Sequence, residues 1–268
     1  MPTAPPCRSL GRHCLELDVV LRVADLNHDS PAEQDALATW LLGHTQRVSF
    51  GEPYRAPGRL LVAATIKVAC KYLTDGDGPT DRAGRTGRPD VVSEVRCAAH
   101  GFAGTLPGPG PVRWSPIRDG GPNRFYVVTR GERRAVELEP EPAPRRALPV
   151  IPQVNPCVGA PCRTADNTRG AACCRDLTLD VVLEGGLPNL LELLRTRRSP
   201  YLCKVTPDGT GMAECEVIST CGYLETDGVS CALHGRARPG GEPAKPFVCR
   251  QWPELGPDQV GHPGCRLL

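Results

Sequence analysis

Two five-residue runs repeat along the chain, Leu17-Asp18-Val19-Val20-Leu21 and Leu179-Asp180-Val181-Val182-Leu183. Both are apolar and rich in β-branched residues, and both predict strands. A helix is expected after each. In the first half Ser30 suits the N-cap, Pro31 the first helical position, and Glu33 completes a capping box for a helix running to about His44. In the second half Pro188 opens a run, Asn189 to Arg195, with leucines at helical spacing. Hairpins come next. Tyr201 to Val205 and Met212 to Ser219 flank the turn Pro207-Asp208-Gly209, and Leu60 to Ala69 supplies a strand that leads into Cys70. Between the halves, Arg124 to Thr129 and Arg134 to Glu139 read as a hairpin around Arg130-Gly131. Glu139 to Pro156 is rich in proline and charge and reads as a linker, and Asp75 to Arg96 as an exposed, mobile loop.

This pattern predicts an α+β fold: a small, cysteine-rich, metal-stapled domain duplicated as two similar subdomains. The expected boundaries are an N-terminal repeat over 1–116, a hairpin and proline-rich linker over 117–155, and a cysteine-rich repeat over 156–268. Composition sharpens the expectation. Aromatic residues make up only 4% of the chain, so the core must rest on Leu, Val and Ala, and extra cross-links would help it. The 29 glycines and 29 prolines favour turns over long helices. A formal net charge of +2 gives no electrostatic case for nucleic acid or membrane binding. The sequence shows neither an apolar run of signal-peptide length nor a membrane-spanning stretch, which makes a cytoplasmic, reducing location the expectation.

In a reducing compartment the 14 cysteines point to metal rather than to disulfides. The second half carries Cys157, Cys162, the Cys173-Cys174 pair, Cys203, Cys215, Cys221, Cys231, Cys249 and Cys265. Both halves share one block. Cys70-Lys71-Tyr72-Leu73 precedes Cys97-Ala98-Ala99-His100-Gly101, and Cys221-Gly222-Tyr223-Leu224 precedes Cys231-Ala232-Leu233-His234-Gly235. Thiolate is a soft, anionic ligand, and four of them close a site around Zn2+ or Fe. The primary candidates are Cys157, Cys162, Cys173, Cys174, Cys221, Cys231 and Cys249, with His234 as a nitrogen ligand. The secondary candidates are Cys203, Cys215, Cys7, Cys14, Cys70, Cys97 and His100. A turn centred on Gly209 would bring Cys203 and Cys215 almost face to face, either as a metal-facing or redox pair or as inert packing. Trp114 and Trp252 are expected to cover a site or pack the core, and Arg195, Arg197 and Arg198 to form a solvated helix end. No phosphate loop, dinucleotide fingerprint or hydrolase motif is found.

The order Cys173-Cys174, Leu177-Thr178, Cys221-x-Tyr223-Leu224, Asp227-Gly228-x-x-Cys231, Arg238-Pro239 and Cys249-Arg250-x-Trp252-Pro253 resembles the YkgJ-like family of zinc- or iron-chelating CxxCxxCC domains over about 155–255. The resemblance implies metal binding through Cys157, Cys162, Cys173 or Cys174, Cys221, Cys231 and Cys249, and supplies a metal without a reaction. A related cysteine pattern in flagellin lysine N-methylases keeps an enzymatic reading open by analogy. Three functions follow as expectations. The first is a cytosolic protein that chelates zinc or iron. The second is an iron–sulfur protein of electron transfer or modification chemistry. The third is a metal-stapled module that binds a protein partner.

Overall fold

The computed structural model describes residues 7–75, 92–107, 124–140, 162–165, 167–184, 189–197 and 201–250. In chain order the elements are β1 (Leu17–Asp25), α1 (Pro31–Leu42), β2 (Val48–Ala56), β3 (Arg59–Ile66), β4 (Leu73–Asp75), β5 (Val92–Cys97), β6 (Ala103–Pro107), β7 (Arg124–Thr129), β8 (Glu132–Glu137) and β9 (Glu139–Pro140). The second half supplies β10 (Asp176–Val182), α2 (Leu190–Arg195), β11 (Leu202–Pro207), β12 (Met212–Ile218), β13 (Arg236–Ala237) and α3 (Phe247–Arg250). Short 3-10 turns at Arg12–Cys14 and Ala172–Cys174 lead into β1 and β10.

The expectation of an α+β fold of two similar subdomains is corrected. The described residues are mostly strand, in several antiparallel sheets, and the halves do not fold apart. They share one six-stranded sheet in the order β11-β12-β10-β1-β3-β2. Its middle is the antiparallel seam between β1 and β10, where Leu21 faces Val181 and Arg22 faces Asp180. The physical reason lies in burial. Leu17, Val19 and Leu21 of β1, and Leu177, Leu179 and Val181 of β10, are all withdrawn from water into one core. Each such side chain contributes about 1.5–3 kcal/mol of burial free energy. Neither strand could bury its face, or satisfy the edge that the other now pairs, in a separate subdomain.

Both helices feed the same core. Leu41 and Leu42 of α1 and Leu190, Leu193 and Leu194 of α2 pack with the strand residues. The capping box at Ser30 forms as its sequence predicts. The Glu33 backbone N–H donates to Ser30 Oγ and the Ser30 N–H donates to Glu33 Oε2 at 2.8 Å. On the opposite face the seam carries an ion pair, Arg22 Nη2 to Asp180 Oδ2 at 2.7 Å.

Two segments expected to lie outside the fold are part of it. The loop assigned to Asp75–Arg96 ends in β5, which pairs with β4 and β6 in a three-stranded sheet. Residues 76–91 lie outside the described residues. The hairpin β7–β8 turns at Arg130 (φ 53°) and Gly131 (φ 78°), the left-handed pair that a two-residue hairpin loop requires. It docks on α1. Asp35 accepts hydrogen bonds from the backbone N–H groups of Arg130 (2.7 Å) and Gly131 (3.1 Å), and Thr39 Oγ1 accepts from the Val128 N–H at 2.9 Å. The linker expected over Glu139–Pro156 begins with β9, which pairs with β13. Among the described residues no helix is long and apolar enough to cross a membrane.

Candidate functional site

Two clusters of thiols, built in the same way, stand at opposite ends of the antiparallel β1–β10 seam. Each 3-10 turn delivers a cysteine just ahead of a central strand, Cys14 before β1 and Cys174 before β10. A second cysteine follows the neighbouring strand, Cys70 after β3 and Cys221 after β12. The two are tied by backbone, since the Cys70 N–H donates to Cys14 O and the Cys221 N–H to Cys174 O, both at 2.7 Å. Cys97 and Cys231 then enter on tight turns, where the N–H of His100 and of His234 returns to the carbonyl three residues back.

The first cluster comprises Cys7, Cys14, Cys70 and Cys97, which line one small cavity of about 10 Å³ with Leu73, Phe102 and Arg197. Burial raises the pKa of the Cys7 and Cys14 thiols, and the neighbouring thiols add to the rise, while Arg197 opposes it. His100 Nδ1 lies 3.4 Å from Cys97 Sγ, and its ring stacks on Phe102. The second cluster comprises Cys173, Cys174, Cys221, Cys231 and Cys249, the last carried on α3. Burial pushes the Cys221 thiol up to about 12 and raises Cys231 and Cys249 as well, with the other thiols of the cluster contributing to each. Cys173 and Cys174 share a side-chain hydrogen bond that lowers the first thiol's pKa and raises the second's. Lys245 draws Cys173, Cys231 and Cys249 toward the thiolate form.

Each cluster is roofed by the helix of the other half. The Lys71 N–H, beside Cys70, donates to Thr196 O past the end of α2, and the Gly222 N–H, beside Cys221, donates to Gly43 O past the end of α1, both at 2.8 Å. Gly43 closes directly over the second cluster, for a Cβ added there would stand 3.6 Å from Cys221 Sγ. The β7–β8 hairpin adds a wall, with Val127 packed in one apolar cluster with Tyr223 and Leu233 and against Cys221 and Cys231.

All the described cysteines are free. Among the described residues no three Cys, His, Asp or Glu side chains stand in a geometry that would hold a metal ion without movement. The donor set nevertheless fits a soft cation: thiols from separate segments, buried or half-buried, with a lysine or an arginine nearby.

The sequence-predicted residues sort unevenly. Cys173, Cys174, Cys221, Cys231 and Cys249 come together, as do Cys7, Cys14, Cys70 and Cys97. Cys162 stands apart, buried in its own small patch against Ala172. His234 is exposed. Cys203 and Cys215 do not face each other. Cys215 pairs with Val205, while Cys203 falls at the register shift between Leu202 and Lys204. Cys215 is fully buried in the main core, which pushes its thiol up to about 12, the state of inert packing. Cys157, Trp114, Trp252 and Arg198 lie outside the described residues.

The expected solvated helix end is corrected at Arg197, which is only 1% exposed. Its Nη1 donates to Leu193 O at 2.6 Å and Thr196 Oγ1 at 2.8 Å, while its Nε has no hydrogen-bond partner among the described residues. A signal was present, since Leu190, Leu193, Leu194 and Arg197 fall on one helical stripe. No family model matches the chain, and no curated protein or solved structure matches it either.

Proposed function

We propose that the protein binds zinc or iron through clustered cysteine thiolates, in a reducing, cytosolic setting, with Cys173, Cys174, Cys221, Cys231 and Cys249 as the principal centre. The observation that carries this reading is the meeting of five free thiols from three separate chain segments beside Lys245, where Cys173, Cys221, Cys231 and Cys249 each raise the cost of ionising at least one other thiol of the set. Mutual repulsion of this kind is removed when a cation binds between the sulfurs. Rotation of cysteine side chains between staggered positions moves sulfur without moving backbone, so the loops can close on an ion. Cys221 and Cys231, held by the β12 exit and its following turn, anchor the set. Cys174 or Cys173, together with Cys249, completes four ligands. The bound metal would hold the loops together and offers Lewis-acid or one-electron chemistry according to its identity.

The surplus fifth thiol favours keeping an iron–sulfur centre as a second reading. Protein purified without oxygen and assayed for zinc, iron and sulfide separates the two. Stoichiometric zinc in a colourless protein supports the first, and iron with sulfide in a brown protein the second. Cys221→Ser is expected to remove the metal in either case. Because structural zinc affinity is folding free energy, on the order of 10 kcal/mol, metal loss should also lower the melting temperature. Metal-free wild type, with a melting temperature unmoved by added zinc or iron(II), would overturn the proposal.

A further inference from the structure

Arg197 is the most deeply buried arginine among the described residues. It is among the largest fully buried side chains, yet no carboxylate pairs with it among the described residues. Among the described residues its charge is opposed by the thiols of Cys70, Cys14 and Cys7, and these belong to the opposite half of the chain. A buried guanidinium that keeps its charge needs an anion within reach. The cavity offers four sulfurs and space for a body the size of one water, about 10 Å³, too small for an organic ligand. Four thiolates around a divalent ion carry a net charge of two minus, and a dianion in a dry site in turn needs a cation.

We infer that Cys7, Cys14, Cys70 and Cys97 form a second metal centre, which takes a divalent soft cation as a tetrathiolate, and that Arg197 is its fixed counter-charge. Binding transfers no electrons: four S–H protons leave to solvent and four metal–sulfur bonds form. The inference shares the thiolate chemistry of the reading above but rests on a separate set of residues. Arg197 is a positioning residue that acts through electrostatics. Its Nη1 is anchored to Leu193 O and Thr196 Oγ1, which fixes the guanidinium beside the cavity that the four cysteines line.

The test is titration of the full chain, stripped of metal and reduced under anaerobic conditions, with cobalt(II) alone. Sulfur-to-cobalt charge-transfer absorption counts the thiolate sites, and zinc competition gives their affinities. Wild type should bind two equivalents. Cys7→Ser, in a half-buried position near the chain start that costs folding little, should remove one equivalent, and Cys221→Ser the other. Arg197→Met should weaken the first-cluster equivalent by about tenfold or more and spare the other, and Arg197→Lys should recover most of the loss. A single equivalent that Cys221→Ser abolishes and Cys7→Ser spares would overturn this inference and leave the proposed function standing. A single equivalent with the reverse pattern would sustain the inference and remove the principal centre. Two equivalents with affinity unchanged in Arg197→Met would overturn the counter-charge role. Circular dichroism of each variant separates lost metal from lost fold. Should Arg197→Met not fold, the Cys7→Ser stoichiometry still decides whether the centre exists.

Discussion

His44 closes α1 with its ring almost wholly out of water. Its Nδ1 donates to Trp40 O at 2.8 Å, and its Nε2 has no partner among the described residues. Burial, only partly opposed by backbone hydrogen bonds, pushes the imidazole pKa down to about 4. An unfolded histidine titrates near ~6.5. Between these values the unfolded chain holds a proton that the folded one refuses. The stability contributed by neutral His44 is therefore whole above about pH 6.5 and declines until about pH 4. Urea unfolding at pH 7 and pH 5 should differ by about 2 kcal/mol from this residue alone. His44→Gln keeps a donor for Trp40 O and should flatten that difference; equal slopes in variant and wild type would refute the assignment. At this scale the sequence was most legible where one residue type carries the chemistry. The cysteines of both clusters could be named from it. The buried cation could not, because an arginine beside other arginines at a helix end usually faces solvent, and only the helical stripe told Arg197 from Arg195.

Helix α1 sits between two partners, the core below it and the β7–β8 hairpin at its side. The hairpin turn rests on a single carboxylate, Asp35, which accepts from both left-handed residues of the loop. Asp35→Ala removes both acceptors and should cost about 1–3 kcal/mol. Hydrogen exchange should quicken at Val127 and Val128 before it changes in β1, whereas uniform loss of protection would show that the hairpin is not a separate docking unit. Ser30→Ala removes one arm of the capping box and should cost about 1 kcal/mol in chemical denaturation. Strands, hairpins and this cap were legible from local pattern. Register was not. Matching the two Leu-Asp-Val-Val-Leu runs aligns Leu17 with Leu179. The ladders place Leu17 against Ile66 and Leu177 against Val217, each three residues beyond the cysteine of its 3-10 turn. A two-residue slip keeps every side chain on its face, so alternation cannot detect it.

The whole molecule turns on the β1–β10 seam. It was not legible because nothing in a strand's own sequence says which edge it will pair, and the apparent repeat argued for two separate bodies. With the seam in place, each half supplies three strands to the other's sheet and the end of a helix to the other's thiol cluster. Residues 1–140 produced alone should therefore show no cooperative melting transition and should aggregate through the bare β1 edge. Adding residues 162–268 should restore a single transition, and a cooperative fold in the first fragment by itself would contradict the shared sheet. The seam has a further consequence for how chains meet in solution. Its pairing is antiparallel and its two sides come from distant parts of one polypeptide, so the surfaces that join within a chain are the same ones that could join between chains. Two molecules refolding at high concentration can trade halves and rebuild every native contact, yielding an intertwined dimer by domain swapping. Such dimers would be trapped on dilution until the seam opens, and their yield should rise with protein concentration during refolding.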